Sequence, residues 1–168
     1  MAEAVANIAR RVNKVVDDGE PHLDLSDCAL SSFPTGLYLA TNAVADKILS
    51  ISLTNNQLKS LPGKFCTVFK ELQELNVDGN FLEKLPHEAS LLRNLKTINL
   101  GRNKLDTFPD ELTEIQCIES INLEGNQIKD IPIETLKCLP RLSSVNLKHN
   151  PIDKDALNLS GIKFELLL

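Results

Sequence analysis

One pattern of apolar residues recurs along the chain at nearly constant spacing, and it constrains the fold more than any other feature. Its clearest copy begins at Ile48 and ends at Pro62, with apolar residues at positions 48, 51, 53, 58 and 61 around Asn56. Three later copies keep this spacing around Asn80, Asn103 and Asn126. A pattern that returns every 23 or 24 residues indicates stacked copies of one unit, because a single unit cannot bury its own apolar face.

The pattern weakens towards both ends of the chain. The first copy, which begins at Leu23, has Cys28 in place of asparagine, and the last copy, around Asn150, lacks the proline. The interval from Cys28 to Asn56 is 28 residues, which indicates an insertion in the first repeat. We therefore predict six repeats.

This order of leucine, asparagine or cysteine, and leucine resembles the leucine-rich-repeat family. The segments Glu3-Ala4-Val5-Ala6, Gly79-Asn80-Phe81-Leu82 and Ile162-Lys163-Phe164 extend the resemblance over nearly the whole chain. The resemblance implies an α/β fold, a leucine-rich-repeat solenoid with a curved parallel sheet of six repeats and an N-terminal capping helix. It also implies an intracellular repeat protein, and it indicates no activity.

Each repeat is expected to contribute one short strand to the concave side. In the third repeat, Leu75 and Val77 point inward, while Glu74, Asn76 and Asp78 face outward, as the two-residue period of a strand requires. The return segments carry apolar residues three positions apart, a spacing typical of helical or 3₁₀ turns on the convex side. These pairs are Phe65 and Val68, Ala89 and Leu92, Leu112 and Ile115, and Leu136 and Leu139.

The recurring asparagine is interpreted as structural. A buried side-chain amide both donates and accepts, so it can satisfy backbone groups that the bend after each strand leaves unpaired. Replacing one such asparagine with an apolar residue is expected to cost about 1–3 kcal/mol. Cys28 is expected to serve the same position more weakly.

The two ends are predicted to cap the solenoid, because terminal repeats otherwise expose their core. Residues 1–20 form the N-terminal cap, with Val5, Ile8, Val12, Val15 and Val16 at helical spacing and Gly19 as a terminator. Sharper alternatives are a mitochondrial presequence, which the acidic residues disfavour, and a helix that docks into a partner. The repeats occupy residues 21–155 of this single domain. Residues 156–168 form the C-terminal cap, in which the alternation from Ile162 to Leu166 suggests a final strand.

Charge and cysteine usage narrow the possible partners. A net charge of -5 without a basic stripe argues against nucleic acid and anionic membranes. The four cysteines are scattered singly and no apolar signal-peptide core precedes them, so we expect reduced thiols in a cytoplasmic protein. Cys66, Cys117 and Cys138 are expected to fill the core as small buried thiols.

No constellation of catalytic residues is visible in the sequence. His22, His87 and His149 fall on a strand, a convex turn and a bend of different repeats, so they are not expected to meet at a metal or in a triad. We therefore expect a protein that is not an enzyme and that has no cofactor, metal or small-molecule substrate.

The outward residues of the concave face supply the candidate partner-binding positions. They are Ser52, Glu74, Asn76, Asp78, Asn99, Arg102, Asn122, Glu124, Asn146 and Lys148. Six strands at roughly 4.8 Å spacing give a face of about 300–400 Å², whereas a standard interface needs about 800 Å² from each partner. The insertion between Pro34 and Ile48, expected as a surface loop carrying Tyr38, is therefore a further candidate.

These features favour a non-catalytic protein-interaction module, a scaffold or adaptor that uses its concave face and is monomeric alone. The partner is an unidentified protein. The alternative is a structural subunit that assembles through its terminal helix or its apolar C-terminal tail. For any single polar residue of the concave face, the plainer interpretation is that it only solvates the sheet.

Overall fold

Seven short parallel strands lie side by side in the order in which they occur along the chain. The computed structural model describes residues 2–168. The strands are β1 (His22–Asp24), β2 (Ser50–Ser52), β3 (Glu74–Asn76), β4 (Thr97–Asn99), β5 (Ser120–Asn122), β6 (Ser144–Asn146) and β7 (Glu165–Leu167). Consecutive parallel strands need a crossover on one side of the sheet, so the arrangement is a solenoid, and the predicted fold class is confirmed.

Equivalent positions of neighbouring repeats pair across the sheet. Leu75 of β3 lies opposite Ile98 of β4, which in turn lies opposite Ile121 of β5. These central side chains are buried, and the residues on either side of them face outward. A second buried column follows the strands and includes Val77, Leu100 and Leu123. The register predicted from the repeat spacing is therefore correct.

The return segments are short helical turns, as their apolar spacing predicts. The α-helices are α1 (Ala2–Asp18), α2 (Gly36–Ala40), α3 (Gly63–Val68) and α4 (Ile133–Leu136). The 3₁₀ helices are Ala45–Lys47, His87–Leu91, Asp110–Glu114 and Lys154–Ala156. Prolines precede α3, α4 and the two central 3₁₀ helices, where their fixed φ is compatible with the start of a turn.

The asparagine ladder is confirmed as a structural element. Asn80 Nδ2 donates to the carbonyl oxygens of Leu53 at 2.9 Å and Val77 at 3.0 Å, and its Oδ1 accepts from the backbone N–H of Leu58 at 3.0 Å. Two of these three partners belong to the preceding repeat, so each asparagine joins neighbouring repeats. In the first repeat, Cys28 Sγ makes only one long hydrogen bond, to Ser26 O at 3.4 Å.

Helix α1 covers the first strand and caps the sheet. Val12 and Val15 are buried, and Arg11 donates to the carbonyl oxygens of Asp24 at 3.1 Å and Ser26 at 2.9 Å. The helix ends as predicted at Gly19, whose φ of +68° favours glycine. Val5 was expected on the inner face, but it is 66% exposed because it lies beyond the part of the helix that packs on the first repeat.

The final strand exists, but it begins three residues later than the alternation predicts. Strand β7 starts at Glu165, and Phe164 before it is buried against the last repeat. Leu147 N donates to Leu167 O at 2.7 Å, so β7 adds a seventh strand to the sheet of six repeats. The alternation of apolar and polar residues therefore located this strand approximately. The side chains that pack inward from it are Phe164 and Leu166.

None of the helices within residues 2–168 is long and apolar enough to cross a lipid bilayer.

Candidate binding surface on the concave face

Outward side chains of the strands form aligned columns on the concave face. The first column contains His22, Ser50, Glu74, Thr97, Ser120 and Ser144. The second contains Asp24, Ser52, Asn76, Asn99, Asn122 and Asn146. The third follows each strand by two residues and contains Ser26, Thr54, Asp78, Gly101, Glu124 and Lys148. All the predicted concave residues except Arg102 therefore lie in these aligned columns on one surface. Arg102 lies at the bend beside them.

The asparagines of the second column have a structural task that the sequence analysis did not assign. The Oδ1 atoms of Asn76, Asn99 and Asn122 accept from backbone N–H groups two residues later, at 3.1, 2.9 and 3.0 Å. These Asx turns fix the bend after each strand. The recurrence of asparagine two residues before the bend was the available signal. The side-chain Nδ2 groups of Asn76, Asn99 and Asn122 take no part in these turns.

A charged cluster lies at the centre of the concave face. Arg102 Nε donates to Asp78 Oδ1 at 3.1 Å, Arg102 Nη2 contacts Asp78 Oδ2, and the same Nη2 donates to Asn55 Oδ1 at 3.2 Å. The hydrogen bonds and charge of Asp78 raise the pKa of Arg102. The guanidinium bridges three consecutive repeats, and Gly101 leaves room for the Asp78 carboxylate that binds it, because a Cβ at Gly101 would lie 2.7 Å from Asp78 Oδ1.

A second cluster lies towards the C-terminal end of the face. Asn146 Nδ2 donates to Glu124 Oε2 at 3.0 Å, and His149 Nε2 lies 3.6 Å from Glu124 Oε1. Lys148, beside it, is exposed. Glu74 in the first column is also exposed, and none of the ion pairs found in residues 2–168 includes it. Glu74 and Lys148 are thus the charged groups most available to a partner.

At the N-terminal end, hydroxyl groups connect the first two repeats. Ser52 Oγ lies 2.7 Å from Ser26 Oγ and 3.1 Å from Thr54 Oγ1. Burial raises the pKa of Asp24, but hydrogen bonds from Ser26 and the charge of Arg11 outweigh it, so the pKa is lowered overall. The attraction between Asp24 and Arg11 holds Arg11 at the N-terminal end of the concave face. The capping helix α1 therefore forms one boundary of this surface.

Tyr38 does not belong to this surface, and its predicted exposure is wrong. The side chain is 6% exposed, and its ring lies 5.2 Å from that of Phe33 and 6.2 Å from that of Phe69. The insertion folds as helix α2 instead of an open loop, and this turns Tyr38 into the core. Leu39, which the sequence did not indicate, is the large apolar residue that α2 exposes, at 84%.

The cysteines differ in exposure more than expected. Cys66 is buried, and burial raises the pKa of its thiol to about 12. Cys117 is half-buried and Cys138 is exposed, so the expectation of uniformly buried thiols is wrong for these two. Cys138 follows the end of the short helix α4, and its Sγ contacts the carbonyl oxygen of Glu134 at 3.4 Å instead of the core.

Histidine, cysteine and acidic side chains are spread along the repeats of residues 2–168. No three His, Cys, Asp or Glu side chains of this range lie close enough together to hold a metal ion. His22, His87 and His149 remain in separate repeats, and the charged clusters at Arg102 and Glu124 contain no cysteine.

Comparison with known proteins identifies relatives over the whole chain. The family model described as leucine rich repeat matches residues 70–128. The chain is 56% identical to leucine-rich repeat-containing protein 20 of Mus musculus and 51% identical to that of Homo sapiens, covering 100% of this chain and 92% of each relative. The leucine-rich-repeat domain of a Shigella effector superposes with a TM-score of 0.64 at 20% identity, over 86% of this chain and 56% of that structure.

Proposed function

Because the chain belongs to the leucine-rich-repeat family, we propose that it is a non-catalytic module that binds another protein on its concave face. The observation that carries the proposal is the alignment of polar side chains across six repeats, on a sheet whose core lies entirely on the opposite side. These outward side chains are not needed to fill the core. An intracellular scaffold or adaptor role is part of the same proposal.

The central cluster supports recognition because its geometry is held before a partner arrives. Arg102 is positioned by Asp78 and Asn55, and Glu124 is positioned by Asn146. Side chains ordered in advance lose less conformational entropy on binding. Arginine is also among the residue types that contribute most to protein interfaces. We therefore assign the central contact to Arg102 and its two neighbours.

The face is too small to form a standard interface alone, so a partner must also reach its borders. Roughly 300–400 Å² is available on strands spaced about 4.8 Å apart, against about 800 Å² in a standard interface. Leu39 of helix α2, in the return segment of the first repeat, is an exposed apolar residue outside the strand columns. We propose that the partner contacts both regions.

Affinity capture with a matched pair of variants tests the concave face. The first variant combines Glu74→Gln, Asp78→Asn, Arg102→Gln and Glu124→Gln. The control combines Glu88→Gln, Glu114→Gln, Glu134→Gln and Lys137→Gln on the convex side. It likewise removes three negative charges and one positive charge, and it also breaks one ion pair, between Lys137 and Glu134. Circular dichroism verifies that both variants are folded.

We expect a partner that the intact chain and the convex variant capture equally and that the concave variant loses. Equal capture by the concave variant contradicts the proposal. Loss from the convex variant alone moves the binding surface to the opposite side of the solenoid.

A structural subunit is the second candidate, and the open edge of β7 favours it. In residues 2–168 this strand pairs only with β6, and Leu166, Leu167 and Leu168 are only partly buried. An unpaired strand edge can add a strand from another chain. Sedimentation equilibrium tests this candidate: a chain that stays monomeric, with end deletions that only unfold it, contradicts assembly through the termini.

A further inference from the structure

A second surface lies where the strands have ended, along the edge of the solenoid. It is a groove of about 930 Å³, which we call the Phe81 groove, and its charged and aromatic lining consists of Lys59, Phe81, Glu83, Lys84, Lys104 and Asp106. The volume is within the range of about 300–1,000 Å³ typical of ligand clefts. The lining comes from the segments that follow the ladder asparagines, so it is separate from the strand columns of the concave face.

Phe81 is exposed at a position where the fold does not require an apolar residue. It follows ladder residue Asn80 directly, and the equivalent positions in neighbouring repeats hold Gln57, Lys104 and Gln127. The side chain is 46% exposed, while the core of its repeat is completed by Leu82 and Leu85. An exposed aromatic ring in a groove is a typical anchor of a protein interface.

Three lysines line the groove together with this ring, and none of them has an ion-pair partner in residues 2–168. No carboxylate of residues 2–168 lies within 4 Å of the ammonium groups of Lys59, Lys84 or Lys104. The lining has three positive groups against two negative ones, Glu83 and Asp106, in a chain with a net charge of -5. The groove is therefore a locally cationic site on an acidic protein.

We propose that the Phe81 groove binds an acidic peptide segment that carries an apolar side chain. The apolar side chain packs on the Phe81 ring and removes it from water. Carboxylates on either side of it pair with Lys59, Lys84 and Lys104, which gives electrostatic complementarity. This surface goes beyond the proposed concave-face function, and neither depends on the other.

The neighbouring groove restricts where the acidic residues of the peptide can lie. That groove shares Lys84 and Thr107 with the Phe81 groove, and its acidic residues are Glu88, Asp110 and Glu111. A second run of carboxylates there would meet like charges. The acidic residues of the peptide consequently lie towards Lys59 and Lys104, away from this groove.

Selection from a phage-displayed library of random peptides identifies the preferred chemistry directly, followed by fluorescence anisotropy with the enriched peptides. We expect enriched sequences that combine acidic residues with a large apolar residue. Phe81→Ser should weaken their binding by about tenfold or more, as expected for an anchor residue. The pair Lys84→Glu and Lys104→Glu should weaken it by at least as much, and added salt should weaken binding to the intact chain.

Matched controls lie in the same chain and outside the groove. Gln57→Ser alters the position equivalent to Phe81 in the preceding repeat, and the pair Lys64→Glu and Lys129→Glu makes the same charge change at exposed sites. Both should leave peptide binding within about twofold of the intact chain.

Several results would overturn the assignment. They are enrichment of basic or uncharged peptides, no enrichment at all, or acidic peptides whose binding survives Phe81→Ser. Self-association of the chain that Phe81→Ser abolishes would instead assign the groove to a second copy. The concave variant with substitutions at Glu74, Asp78, Arg102 and Glu124 should retain peptide binding, so the outcomes for the two surfaces are distinguishable.

Discussion

The ladder asparagines show why an amide is suited to the bend after each strand. Asn103 Nδ2 donates to the carbonyl oxygens of Val77, Leu100 and Gly101, each at 3.0 Å, and its Oδ1 accepts from Leu82 N at 2.9 Å. A carboxylate cannot donate these bonds and a leucine can form none of them. The sequence predicted this role because the asparagine recurs at constant spacing.

Replacing a ladder asparagine should therefore cost more in the middle of the solenoid than at its end. We expect Asn103→Leu to lower the free energy of unfolding by at least about 1–3 kcal/mol, since it leaves buried backbone groups unpaired. Asn150→Leu removes the same kinds of hydrogen bond at a half-buried site, where water can replace them. Urea denaturation measures both, and equal losses would contradict the role of burial.

Tyr38 carries a hydroxyl that the surrounding core does not use. Its Oη is buried without a hydrogen-bond partner in the described residues, and an unpaired buried hydroxyl costs about 1–3 kcal/mol. We expect Tyr38→Phe to raise the free energy of unfolding by about 1 kcal/mol, because the ring contacts with Phe33 and Phe69 are kept. Thermal denaturation provides the measurement, and a loss of stability would show that the hydroxyl is paired.

The buried thiol of Cys66 makes stability depend on alkaline pH. Burial raises its pKa from 9.0 in the unfolded chain to about 12 in the folded chain, so the unfolded state loses this proton first. The contribution of this thiol to folding stability is then nearly constant below pH 9 and falls as the pH rises from 9 towards 12. We expect a loss of about 1.4 kcal/mol at pH 10 from this group.

The variant Cys66→Ala isolates that contribution, because the other titrating groups are unchanged. Urea denaturation under reducing conditions at pH 7 and pH 10 should show a smaller loss for the variant than for the intact chain. An identical pH dependence would mean that the thiol ionises as readily in the folded state.

At the scale of secondary structure, the bend after each strand imposes one backbone conformation on six different residues. Asp27, Asn55, Gly79, Arg102, Gly125 and His149 occupy equivalent positions, and their φ angles lie between +50° and +70°. A side chain at such an angle is strained by roughly 1–2 kcal/mol. The bend is kept in every repeat, whether or not glycine is present.

Glycine occupies this position in two repeats, and alanine substitutions there distinguish the cost of backbone strain from the cost of a steric clash. Gly125→Ala should cost about 1–2 kcal/mol through backbone strain, since its Cβ would approach no atom closer than 3.5 Å. Gly79→Ala should cost more, because its Cβ would lie 2.7 Å from Asn55 Oδ1 and displace that amide from Arg102. Urea denaturation of both variants tests the order, and a larger cost for Gly125→Ala would contradict it.

The same scale shows which elements the sequence could predict. Strands β2 to β6 follow from apolar spacing that occurs several times, so each copy supports the others. Helix α2 occurs once, in the insertion, and no repeated spacing indicates its direction. Tyr38 is buried through ring contacts with Phe33 and with Phe69 of the next repeat, and no local pattern encodes such contacts. The candidate surface was predicted where it lies on strands and was wrong where it relied on this insertion.

At the scale of the whole molecule, each strand pairs only with its neighbours in the sequence. Stability in such an arrangement is approximately a sum of repeats and the interfaces between them. Damage at one end should consequently open that end without unfolding the other. Phe164, which is buried against the last repeat, allows a direct test.

We expect Phe164→Ala to weaken the C-terminal cap locally by about 3–5 kcal/mol. Hydrogen exchange followed by NMR should show faster exchange at the amides of Leu147 and Glu165, which donate to Leu167 O and Ser143 O between the last two strands. The amides of Leu25 and Leu53 at the other end should exchange as in the intact chain. Equal acceleration at all four sites would show that the solenoid unfolds as one cooperative unit.

The ladder of asparagines also determines how such a gene can change in length. Each rung bonds only to its own repeat and to the one before it, as Asn126 does with Leu123 and with Leu100 and Leu105. Duplication or loss of one complete repeat therefore leaves every remaining rung with equivalent partners. Insertion of a single codon within a repeat shifts a rung away from its carbonyl groups. Selection on this family should tolerate variation in whole repeats and remove small insertions within the strands and bends.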